Sequence, residues 1–147
     1  MKSQEALNDL IEINNDRVVG YEKAAAQADD VDLKSIFLAN AAQSKKFAEE
    51  LKGLVIRQGA EPAKDTTFRG KIYRTWMDVK ATFGGDDRKG VLASCEFGED
   101  AAQRAYKSAL EDKDLLAESR SVVERQKDVL RGAHDRIKAM RDRQPVR

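Results

Sequence analysis

Three polar side chains fall where an apolar residue would be expected, and they define what chemistry this sequence could do. Asn14 lies on the stripe Leu7, Leu10, Ile11, Val18, Tyr21, Ala25 and Ala28. Glu99 lies on the stripe Val91, Leu92, Cys95, Ala102, Tyr106, Ala109 and Leu110, and Ser44 interrupts a third. A carboxylate drawn into a helix core needs a compensating donor or cation, because an unpaired buried charge costs several kcal/mol. The chain's one histidine, His134, stands beside a fourth stripe. Imidazole can act as ligand or base, but a lone histidine is more often a hydrogen-bonded structural residue. No Ser/His/Asp or Cys/His pair is suggested, and the single Cys95 reads as a small inward apolar residue. Gly84-Gly85 and Gly98-Glu99 follow no strand and lack the lysine of a phosphate loop. No residue is assigned a catalytic role.

The elements that position these residues are helices. Apolar spacing of three and four predicts helices over about 4–28, 33–58, 88–111 and 115–140. Ser3 and the acids Asp29, Asp30 and Asp32 supply N-caps, and Gly59 followed by Pro62 ends the second helix. The second helix faces inward with Leu33, Phe37, Ala41, Ser44, Ala48, Leu51 and Val55. The last does so with Leu116, Val123, Val129, Leu130, Ala133, Ile137 and Met140. A shorter helix is expected over about 68–82, with Phe68, Ile72, Trp76, Val79 and Phe83 on one side. Short turns join the first two long helices and the last two, so each pair is an antiparallel hairpin. The Gly59–Asp87 connection is long enough to run back along the bundle. The fold expected is therefore all-α, residues 1–147 forming a single four-helix bundle with an extra short helix in one long crossover.

Composition agrees. Of 147 residues, 36% are charged and only two are proline, a mix that suits long helices. Net charge is +1, so no global field recruits nucleic acid or an anionic membrane. Acids gather between Gln4 and Asp32 and bases between Arg125 and Arg147. No aromatic residue interleaves with those bases, as a nucleic-acid stacking surface would require. The N-terminus has no apolar signal core, and no run approaches the ~18 apolar residues of a membrane span. One cysteine excludes an internal disulfide and suits a reducing compartment, so a cytoplasmic location is expected.

The stretches LIEINNDRVVGYEKAA (Leu10–Ala25), CEFGEDAAQRAYKSAL (Cys95–Leu110) and AHDRIKAMRD (Ala133–Asp142) carry a resemblance. They resemble an uncharacterised bacterial four-helix-bundle family, a domain of unknown function grouped with the ferritin-like superfamily. That resemblance implies a ferritin-like fold. The superfamily's chemistry uses two iron or manganese ions, held by a Glu from each of two helices and a Glu-x-x-His pair from each of the others. Fitted here, those positions fall near Ile11, on Ser44 and Phe47, on Glu99, and on Arg131 and His134. Only Glu99 and His134 keep a side chain able to ligate, so an intact di-metal site is not expected. In its place these substitutions point to a polar core layer of Asn14, Ser44, Glu99, Arg131 and His134, with Arg131 as the cation that meets Glu99; the alternative is that Arg131 reaches solvent and Glu99 sits at the bundle's edge.

The expectation is a non-enzymatic bundle that works by binding or self-association, without a cofactor and with a homo-oligomer as the natural partner. The competing expectation is an iron- or manganese-dependent oxidoreductase or iron-handling protein with a shifted site. A carrier of a small apolar ligand in the core is a third.

Overall fold

The computed structural model describes residues 2–28, 30–63 and 88–143. Among the described residues the regular elements are four helices: α1 (Lys2–Gln27), α2 (Val31–Arg57), α3 (Arg88–Leu110) and α4 (Ala117–Asp142). No strand occurs among the described residues, and none of their helices is long and apolar enough to cross a membrane. The short helix expected over 68–82 lies outside the described residues.

Burial on α4 falls on Ser119, Val123, Gln126, Leu130, Ala133, Ile137 and Met140, in steps that alternate four and three. That is the heptad seam by which one helix packs lengthwise on others. Leu116 and Val129, both expected inside, lie off this seam and are exposed. Leu116 is the extended N-cap of α4, and its neighbour Leu115 takes the buried place. α2 repeats the seam with Leu33, Phe37, Asn40, Ser44, Phe47, Leu51 and Leu54. Each fully buried Leu or Phe on these seams contributes roughly 1.5–3 kcal/mol of transfer free energy.

α2 stops in a Schellman motif. Gly59 takes φ +81°, a left-handed conformation that costs glycine nothing. The Gly59 N–H then donates to the Ile56 carbonyl and the Ala60 N–H to that of Val55.

All four neighbouring pairs run antiparallel. Gln4 meets Gln58 and Asn14 meets Ser44 across α1 and α2, while Arg17 meets Glu99 and Asn14 meets Tyr106 across α1 and α3. Across α3 and α4, Asp100 meets His134 and Tyr106 meets Gln126. Across α2 and α4, Arg57 meets Glu118 and Glu50 meets Gln126. Ala63 packs with the cluster at the α1 N-terminal end, and Val91 with the cluster at the other end. The two ends of the 63–88 connection therefore sit at opposite ends of the bundle.

The apolar interior is divided. One cluster centres on Leu7, Leu10, Phe47, Leu51, Ala102, Tyr106 and Leu130. The other centres on Tyr21, Leu33, Phe37, Leu92, Cys95 and Ile137. What lies between them is polar.

Candidate functional site

The dividing layer is built from one helical stripe on α1. Asn14, Arg17 and Tyr21 follow one another at three and four residues, so all three point to the same side. They meet Ser44 from α2 and Glu99 from α3, and every one of these side chains is buried. Arg17 Nη2 donates to Glu99 Oε2 at 2.6 Å, with the two side chains 1% and 0% exposed. Arg17 Nη1 donates to Ser44 Oγ, and the Tyr21 hydroxyl donates to the same Glu99 oxygen. The guanidinium carbon also stands 5.1 Å from the Tyr21 ring centroid, within cation–π range.

From Arg17 the hydrogen bonds run outward in one direction. Ser44 Oγ donates to Asn14 Oδ1 at 2.9 Å, and Asn14 Nδ2 donates to the Tyr106 hydroxyl at 2.8 Å. Tyr106 donates to Gln126 Oε1 at 2.6 Å, and Gln126 Nε2 donates to Glu50 Oε1 at 2.9 Å. Glu50 in turn pairs with Arg125 at the surface. The chain starts on a cation and ends on an anion, so each link polarises the next in the same sense. Two of its links are carboxamides, which hold their N–H protons tightly; the chain orients dipoles and does not conduct protons.

Burial alone would lower the Arg17 pKa, but Glu99, aided by the Tyr21 and Tyr106 phenols, outweighs it and raises the value. Tyr21 is pushed well up by burial and then by the Glu99 charge. Tyr106 is raised by burial against the opposing hydrogen bond from Asn14. The Cys95 thiol, fully buried, is raised by the same desolvation and by Glu99.

Of the five residues expected in a polar layer, Asn14, Ser44 and Glu99 are brought together. Arg131 is not among them. Its side chain is 64% exposed and its Nε lies 3.4 Å from Asp135 Oδ1, one turn along α4. The cation that meets Glu99 is Arg17, from the opposite side of the bundle, because position 131 follows the buried Leu130 off the α4 seam. His134 also lies outside the layer, at the α3–α4 surface. Its Nε2 is 2.6 Å from Asp100 Oδ1 and its Nδ1 is 3.0 Å from Asp135 Oδ1. Partial burial would lower the His134 pKa, but these two carboxylates raise it.

Arg17, Tyr21, Tyr106 and Gln126 were not foreseen as members of the layer. Arg17 had a signal: it sits three residues after Asn14 and four before Tyr21, a charge on an apolar stripe. Gln126 had a weaker one, three residues past Val123 and four before Leu130.

The layer does not fit a di-iron or di-manganese centre. It holds one carboxylate and no imidazole, and the bonded oxygen of that carboxylate already accepts from Arg17 and Tyr21. A guanidinium stands where cations would have to be placed. Glu99 Oε1 and Arg17 Nε have no hydrogen-bond partner among the described residues, which suits an ordered water better than a metal.

Residues 2–112 match the family described as a domain of unknown function (DUF2383). The chain belongs to that family. The match takes in α1, α2 and α3 and stops before α4. No curated protein matches the chain.

Proposed function

From that membership, which brings no activity with it, we propose that this protein is a non-enzymatic ferritin-like bundle. It acts by binding or self-association, and an internal ion pair stands where relatives of that fold place two metals. The observation that carries this reading is the Arg17 guanidinium, buried between two apolar clusters and bonded to both Ser44 and Glu99. The ferritin-like assignment draws support from the antiparallel pairing of all four neighbours, which needs a long crossover between α2 and α3. A cytoplasmic location fits a lone, buried thiol at Cys95.

Metal analysis of protein grown with iron and manganese supplements tests the reading. Neither metal is expected to accompany the purified chain in an amount that depends on Glu99. Near-stoichiometric iron or manganese, lost from a folded Glu99→Gln variant, would overturn the proposal in favour of an iron-handling protein or oxidoreductase. Light scattering on the same preparation measures self-association directly.

A further inference from the structure

We propose that the buried Glu96 and the half-buried Asp100 on α3, with the half-buried His134 on α4, form a site at the α3–α4 edge for one first-row divalent ion of the zinc type. Glu96 and Asp100 are four residues apart and so share a helix face. His134 reaches that face from α4. One ligand atom from each of the three lies within 4.8 Å of the other two. Three ligands bound at about 2.0–2.2 Å stand roughly 3.5 Å apart, so closure asks for about an ångström of side-chain movement.

The imidazole is held as a ligating histidine usually is. Nε2 faces the proposed ion beside Asp100, while Nδ1 is tied to Asp135 Oδ1 at 3.0 Å. A carboxylate on the second ring nitrogen fixes the ring plane and strengthens the first nitrogen as a donor. Arg131 steadies that carboxylate in turn.

Two charges compete for the ligands, and neither is trapped. Arg141 pairs with Glu96, but it also donates to Asp142 Oδ1 at 2.8 Å and keeps that partner if Glu96 turns to an ion. Any proton on the His134 ring can pass directly to solvent, because Asp100 and His134 line an open groove. Two carboxylates neutralise a dication. One imidazole with two carboxylates and no thiolate selects zinc, cobalt or nickel over magnesium or calcium, which prefer oxygen alone. The site uses nothing from the interior layer and goes beyond the proposed function of the bundle.

The test is a titration of the untagged chain with zinc chloride, followed by calorimetry and by NMR of the imidazole. The chain has one histidine and the interior layer has none, so the imidazole signal reports this site alone. One zinc per chain is expected, with the imidazole resonances shifting until one equivalent is reached. Magnesium at the same concentration should leave them in place. His134→Ala and Asp100→Asn, both at the partly exposed surface, should each weaken zinc binding at least about tenfold. Imidazole resonances unmoved by excess zinc, or zinc binding unchanged in His134→Ala, would overturn the site.

Discussion

Arg17 and Glu99 bring opposite charges into an interior that gives neither an aqueous alternative. The desolvation of such a pair consumes most of its Coulombic gain, so its worth lies in what happens when one partner is missing. Arg17→Met leaves Glu99 buried without its cation, and Glu99→Leu leaves a buried guanidinium. Each single substitution should cost about 3–5 kcal/mol in denaturant unfolding. The double variant Arg17→Met/Glu99→Leu should recover much of that loss, because two apolar side chains would join the two apolar clusters. Recovery stays partial, since Ser44 and Tyr21 each lose a partner. Additive single losses in the double variant would sink this account of the pair. The phenols beside it set an alkaline limit. Tyr21 and Tyr106 have raised pKa values in the folded chain, while tyrosine in an unfolded chain ionises near pH 10. Below about pH 10 both states keep these protons and the full stability is present. As pH rises above that point the unfolded state sheds protons that the folded state retains, so stability falls. Two of the three tyrosines should then ionise only together with loss of helical signal. A smooth titration of all three near pH 10, with the fold intact, would contradict the buried network.

Helix existence was legible at the element scale because spacing of three and four is a strong, repeated signal over many turns. The α2 stop was equally plain, since Gly59 and Pro62 punctuate it together. The start of α4 was less so. Asp112, Lys113 and Asp114 mark a turn, yet Leu115 and Leu116 are both apolar and periodicity alone cannot choose between them. The turn chose: the Leu115 N–H donates to the Asp112 carbonyl, which turns Leu115 inward and leaves Leu116 as an exposed cap. Three members of the polar layer were readable for a similar reason. Asn14, Ser44 and Glu99 break apolar stripes on their own helices, so each is visible without knowing its neighbours. The identity of the cation was not visible, because it depends on which helix faces which. Position 131 on α4 and position 17 on α1 could both be drawn beside Glu99 on paper. The α4 seam, running through Ser119, Gln126 and Leu130, points Arg131 at solvent. The α3–α4 cluster was half legible too, with His134 singled out but its partners Asp100 and Glu96 set by the antiparallel register.

For the whole molecule, the decisive fact is where the connection between the hairpins begins and ends. α1 and α3 are antiparallel, as are α2 and α4, and that arrangement places residues 63 and 88 at opposite ends of the bundle. A helix of 27 residues such as α2 is about 40 Å long at ~1.5 Å per residue. A linker of about six residues reaches only roughly 20 Å at ~3.3 Å each, so it cannot join the same two ends within one chain. Replacing residues 64–87 with such a linker should therefore abolish the folded monomer. The two hairpins could still satisfy their seams by pairing with those of a second chain, since hairpin exchange needs no new contacts. The expected product is an exchanged dimer by light scattering with near-native helicity, or no cooperative unfolding at all. A glycine–serine connection of the original length keeps the reach and should retain the bundle in the oligomeric state of the unaltered chain. A folded monomer from the shortened chain would mean that α2 and α3 are neighbours at one end, as in a simple up-down-up-down bundle. That result would remove the crossover on which the ferritin-like reading depends, while leaving the zinc titration at His134 to be judged on its own.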